Sequence, residues 1–129
     1  MKPVPYSTQA PQAYQFDYFC HNGYYSEMEK RISHYRLADI QAFVATPENR
    51  PFTSTALRGG LELGLTESEM RVVVIALSQR NFYKSMTTHA DHREWQDVYH
   101  GMTEYGVEVY IKITAHTDGS PPVIQFKAK

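Results

Sequence analysis

A chain of 129 residues, 42% of them hydrophobic and 21% charged, has room for one domain around one modest core. A net charge of −1 excludes bulk polybasic attraction to nucleic acid, so any RNA-binding site must be a local feature. The single cysteine, Cys20, excludes an internal disulfide framework and an all-cysteine metal site, and no apolar run reaches membrane-spanning length.

Residues 1–27 differ in composition from the rest of the chain. They hold Pro3, Pro5 and Pro11, five of the ten tyrosines (Tyr6, Tyr14, Tyr18, Tyr24, Tyr25) and three charged residues, without a helical or alternating pattern. They read as a poorly ordered extension, a tail or translation from an upstream start, with Met28 as the natural first residue and 28–129 as the folded domain. The alternative is an aromatic arm packed on the domain or on a partner. The opening stretch MKPVPYSTQAPQAYQF lacks the apolar segment of a secretory signal, and the expected location is the cytoplasm.

From Ser33 the pattern becomes helical. Leu37, Ile40, Phe43 and Val44 recur at three- and four-residue spacing, and Pro47 marks the stop. A second helix starts near Ser54 and carries Leu57 and Leu61; Gly59 and Gly60 weaken it, and Gly64 suits its C-terminal cap. Thr66-Glu67-Ser68-Glu69 is a capping box, after which Met70, Val73, Val74 and Leu77 form one face of a third helix. The β-branched run 72–75 would also suit a strand.

The rest reads as extended. Segments 82–88 and 95–100 are rich in aromatic and β-branched residues and flank the polar turn HADHR. Val107, Val109, Ile111 and Ile113 alternate with Glu108, Tyr110, Lys112 and Thr114, which describes a half-buried strand. Asp118-Gly119 supplies turn chemistry before a last strand at 123–127. Helices followed by a four-or-more-stranded antiparallel meander predict an α+β fold with the helices on one sheet face.

RNA is cut without a metal when a protein removes a proton from the ribose 2′-hydroxyl, stabilises charge on the phosphate and returns a proton to the leaving 5′-oxygen. Lysine, tyrosine, histidine, glutamine and arginine on a rigid sheet suffice. Alternation puts Tyr110, Glu108 and Lys112 on one face of their strand, and Gln125 and Lys127 opposite Ile124 and Phe126 on the next. On pattern alone a solvated sheet face is the plainer reading. Lys84 shares parity with Phe82 and Met86, and Gln96 with Val98, so periodicity does not place either at the surface.

His89 and His92 flank Asp91, with Glu94 beyond, at a spacing that fits no established zinc signature; a polar turn explains them better. His92 is kept as a candidate for proton transfer or phosphate binding. Tyr83, Trp95 and Tyr99 are possible base-stacking platforms, although strand aromatics are more often core. No phosphate-cradling glycine loop is present.

Read together, MEKR at 28–31, FYKSMTTHADHREWQDVY at 82–99, VYIKIT at 109–114 and FKAK at 126–129 resemble the motility quorum-sensing regulator (MqsR) family of bacterial type II toxins. The resemblance covers about residues 28–129 and is densest over 82–99. It implies a RelE/YoeB-like fold and an mRNA interferase of the bacterial cytoplasm, cutting at short sequences, typically GCU. It further implies that the enzyme works with no metal or other cofactor and without the ribosome, and that a cognate MqsA-type antitoxin neutralises it. Neither a membrane nor direct DNA binding is implied. The family's active residues fall on Lys84, Gln96, Tyr110 and Lys127. The lysines would hold the scissile phosphate, Tyr110 would move a proton and Gln96 would position phosphate or base. Residues 1–27 have no counterpart in the family pattern, and the turn HTDGSPP before the last strand is longer.

Overall fold

A computed structural model describes residues 17–21, 24–88, 93–115 and 120–129, with side chains described from residue 28 onward. Strands β1 (Asp17–His21) and β2 (Tyr24–Lys30) come first, then helices α1 (Leu37–Ala45), α2 (Ser54–Glu62) and α3 (Glu67–Ile75). A 3-10 turn at Gln79–Asn81 leads into β3 (Phe82–Thr87), β4 (Trp95–Met102), β5 (Glu108–Thr114) and β6 (Val123–Ala128). The six strands form one sheet in sequence order, every neighbouring pair antiparallel. The fold is α+β, as the element pattern predicts, and six strands fall within the expected four or more; β1 and β2 add to the four read at residues 82–127.

The added strands lie where no pattern was legible, and the expected boundary between 27 and 28 falls inside β2. The sequence does hold a signal there. Asn22-Gly23 separates the paired residues His21 and Tyr24, and Asn-Gly is the dipeptide most favoured in two-residue hairpin connections.

In α1, Leu37, Ile40 and Val44 are buried at the expected spacing, and the helix ends two residues before Pro47. The capping box of α3 forms as read: the Thr66 hydroxyl accepts from the Glu69 amide at 3.1 Å, and Glu69 Oε1 accepts from the Thr66 amide at 2.8 Å. Met70, Val73 and Val74 turn inward while Val72 is 63% exposed, so the helical period governs the β-branched run.

The reading of α2 needs correction. Leu57 and Leu61 are exposed, and the buried residues are Ala56 and Gly60. The glycines let the helix approach its neighbours closely. A Cβ on Gly60 would stand 2.3 Å from Met70 Sδ, and one on Gly59 2.9 Å from the Phe126 carbonyl oxygen. The segment before α2 closes the β6 edge: Ile124 donates its amide to the Pro51 carbonyl at 2.7 Å, and Thr53 donates to the Ile124 carbonyl at 3.2 Å.

Between helices and sheet lies the core, which includes Ile40, Val44, Met70, Val74, Tyr99, Ile111, Ile113 and Phe126. At the β2 end this layer turns polar. Lys30, Ser85 and Asp97 stand opposite one another across three strands, all at most 1% exposed. Lys30 Nζ lies 4.2 Å from the Trp95 ring centre and donates to His34 Nδ1 at 2.5 Å. The Asp97 carboxylate accepts from the backbone amides of His34 and Tyr35 at 2.9–3.0 Å, fastening the β2–α1 connection to β4. Burial pulls Lys30 down to about 8, against the Asp97 charge, and His34 down to about 3; it pushes Asp97 up to about 6, against its hydrogen bonds. Among the described residues, no helix is long and apolar enough to cross a membrane.

Candidate active site on the sheet face away from the helices

Alternation along β4 sends Trp95, Asp97, Tyr99 and Gly101 toward the helices and leaves Gln96, Val98 and His100 on the opposite face. Cross-strand register then assembles that face in rows. In the first, His100 on β4 stands opposite Tyr110 on β5, and Tyr110 opposite Lys127 on β6. In the next, Lys84 stands opposite Val98, Val98 opposite Lys112, and Lys112 opposite Gln125. In the third, Glu29, Met86, Gln96 and Thr114 follow across β2 to β5.

Parity failed to place Lys84 because the β3–β4 register shifts between Phe82 and Lys84. The extra residue in this bulge reverses the facing of everything after it. Phe82 therefore packs edge-on against the core ring of Tyr99, at 5.5 Å, while Lys84 and Met86 join the far face. Val98 is only 3% exposed on that face, flanked by the stems of Lys84 and Lys112.

All four family-implied residues thus lie on one face. Tyr110 and Lys127 are direct cross-strand partners, Lys84 is one row away, and Gln96 is two rows, roughly 13 Å, from the Tyr110 row at about 3.3 Å per residue. Gln96 donates its amide to Thr114 Oγ1 at 3.3 Å. Lys84 Nζ donates to Glu29 Oε1 at 2.5 Å, and that hydrogen bond, with the lysine charge, holds the Glu29 carboxyl below its usual range. Within MEKR, Glu29 meets Lys84 while Lys30 points into the core.

The stacking candidates divide. Tyr83 is 46% exposed beside the strip, with its ring centre 4.6 Å from that of His100 and 5.3 Å from Lys84 Nζ. Tyr99 is 1% exposed and Trp95 8%, so both are core residues and Tyr99 is withdrawn as a base platform. His92 and the rest of HAD lie outside the described residues. Among the described residues no group of three or more His, Cys, Asp or Glu side chains is placed to hold a metal. Sequence reasoning missed Glu29 and His100; the register of β2 with β3 and β4 with β5 is what reveals them.

The polar rows run across β2 to β6. A depression of about 420 Å³ lies elsewhere, among Ala45, Pro47, Arg50, Glu67, Ser68 and Arg71, where Arg71 is already committed to the carbonyls of Val44, Thr46 and Asn49 and to Glu67. A polar strip with lysines at 84, 112 and 127 suits an extended anionic polymer better than a small molecule.

Comparison with known proteins identifies the family. Residues 32–128 match the family model described as "Motility quorum-sensing regulator, toxin of MqsA". Over 102 residues the chain is 44% identical to the mRNA interferase toxin MqsR of Escherichia coli (strain K12), covering 79% of this chain and 100% of that relative. The chain belongs to the motility quorum-sensing regulator toxin family.

Proposed function

We propose that the protein is the toxin of a type II toxin–antitoxin pair, an endoribonuclease that cleaves mRNA at GCU-type sequences and so blocks translation. The observation that carries the reading is Tyr110 directly opposite Lys127, with Lys84 one row along, on the sheet face away from the described helices. The lysines neutralise the pentavalent phosphate, Tyr110 moves a proton, and Gln96 holds phosphate or base through its amide. None of these steps requires a metal, because the 2′-hydroxyl is an internal nucleophile. Residues 28–129 form the toxin unit, and the stretch before them is an addition to the family pattern.

The family description supports an antitoxin partner, and we assign it to the MqsA type. Purified protein incubated with a GCU-containing RNA oligonucleotide in excess chelator should cut the strand. Binding without scission would instead mark a non-catalytic RNA-binding protein, and activity abolished by the chelator would refute the metal-free chemistry.

A further inference from the structure

His100 shares the row of Tyr110 and Lys127, and neither the sequence pattern nor the family resemblance gives it a role. It stands opposite Tyr110, itself opposite Lys127. Its ring centre is 4.9 Å from that of Tyr110 at 74° and 4.6 Å from that of Tyr83 at 32°. Asn81 donates its side-chain amide to the His100 carbonyl at 3.0 Å, tying the strand at this point. Nε2 is buried and has no hydrogen-bond partner among the described residues. Folds seldom leave such an atom unpaired, and catalytic centres are among the places where one is kept. Here two tyrosines hold the ring by packing, the nitrogen pairs with no described protein group, and the ring must turn to bring it to the face.

We propose that His100 is the general base of the cleavage reaction: its imidazole takes the proton of the ribose 2′-hydroxyl. The O2′–P bond forms as the P–O5′ bond breaks, and Tyr110 gives its proton to the departing 5′-oxygen. The products are a 2′,3′-cyclic phosphate and a 5′-hydroxyl. Imidazolium and phenolate then exchange the proton, restoring both groups without a co-reactant.

The charges and titratable groups around the ring are Tyr83 and Lys84 from β3, Glu108 and Tyr110 from β5, and Lys127 with Lys129 from the β6 end. Burial, then Lys129, lowers the imidazole below its ordinary value, with Glu108 opposing. At neutral pH the ring is therefore the unprotonated acceptor that a base must be.

This inference rests on the reading of the face as the cleavage centre, and one experiment separates the two. Single-turnover RNA cleavage is followed from acid to alkaline pH for wild type, His100→Phe, His100→Gln and His100→Ala, with Tyr110→Phe and Lys127→Ala as references. His100→Phe keeps the ring stack, so RNA affinity should stay within about threefold while cleavage falls at least about 100-fold. The acid-side loss of rate seen in wild type should vanish, and added imidazole should restore His100→Ala. If His100→Phe fails to fold by circular dichroism, His100→Gln and the imidazole rescue decide. Near-wild-type rates with the acid limb intact in the His100 variants, while the references are slow, would overturn the role of His100 and leave the face standing. Near-wild-type rates in the references as well would remove the face and this proposal together.

Discussion

Lys84 reaches the strip through one extra residue in β3, and what it meets there is Glu29. The two side chains are 20% and 15% exposed and share a 2.5 Å hydrogen bond. The carboxylate fixes the ammonium but also opposes an incoming phosphate at close range. Glu29→Gln keeps the shape and an acceptor while removing that charge. It should tighten RNA binding severalfold and steepen the salt dependence of log Kd by about 0.7, the value for one further phosphate contact on a single strand. A titration by fluorescence anisotropy at several salt concentrations reads both, and weaker binding would show that the carboxylate chiefly orients Lys84. Tyr110 and Lys127 were legible from alternation in β5 and β6. Lys84 was not, because a bulge cancels parity and leaves no mark in the residues on either side of it.

Among the elements, legibility followed how locally each is determined. The α3 capping box and the stripes of α1 and α3 are written within a few residues, and they formed as read. The apolar face of α2 misled, because two leucines at helical spacing are exposed while Gly59 and Gly60 set the contact with β6 and Met70. A glycine contributes no hydrophobic signal, so a helix that packs by closeness looks weak in sequence. The β1–β2 pair was hidden by proline-rich and tyrosine-rich composition, although Asn22-Gly23 marked its connection. The polar row Lys30–Ser85–Asp97 was equally hidden, since alternation assigns charged residues to solvent and only register shows them buried together.

For the whole molecule, a net charge of −1 leaves RNA affinity to the local strip, while the buried polar row shapes stability. Folded His34 refuses a proton that the unfolded chain accepts below 6.5, so alone it would make stability fall as pH drops from 6.5 toward about 3. Asp97 works the other way. Between about 6 and 3.8 the fold holds a proton that the unfolded chain has lost, so the two offset one another in that window. Glu29, held below 4.5 by Lys84, and Glu69, lowered to about 2 chiefly by the Thr66 amide, then add to the His34 loss as pH falls further. Urea midpoints should therefore decline only gently from 6.5 to 4.5, the lowered His100 adding its own loss to that of His34 while Asp97 opposes both, and drop faster below 4.5. A slope as steep just above 4.5 as below it would contradict the buried Asp97 assignment.

Whether the sheet face carrying Lys84, Tyr110 and Lys127 cleaves RNA is decided by single-turnover rates on a GCU-containing oligonucleotide. Lys84→Ala and Tyr110→Phe are measured beside wild type. Each variant should be slower by about tenfold or more, on the scale of lost charge stabilisation or proton transfer, while its circular dichroism remains that of the folded protein. Wild-type rates in both would contradict the assignment of cleavage to this face.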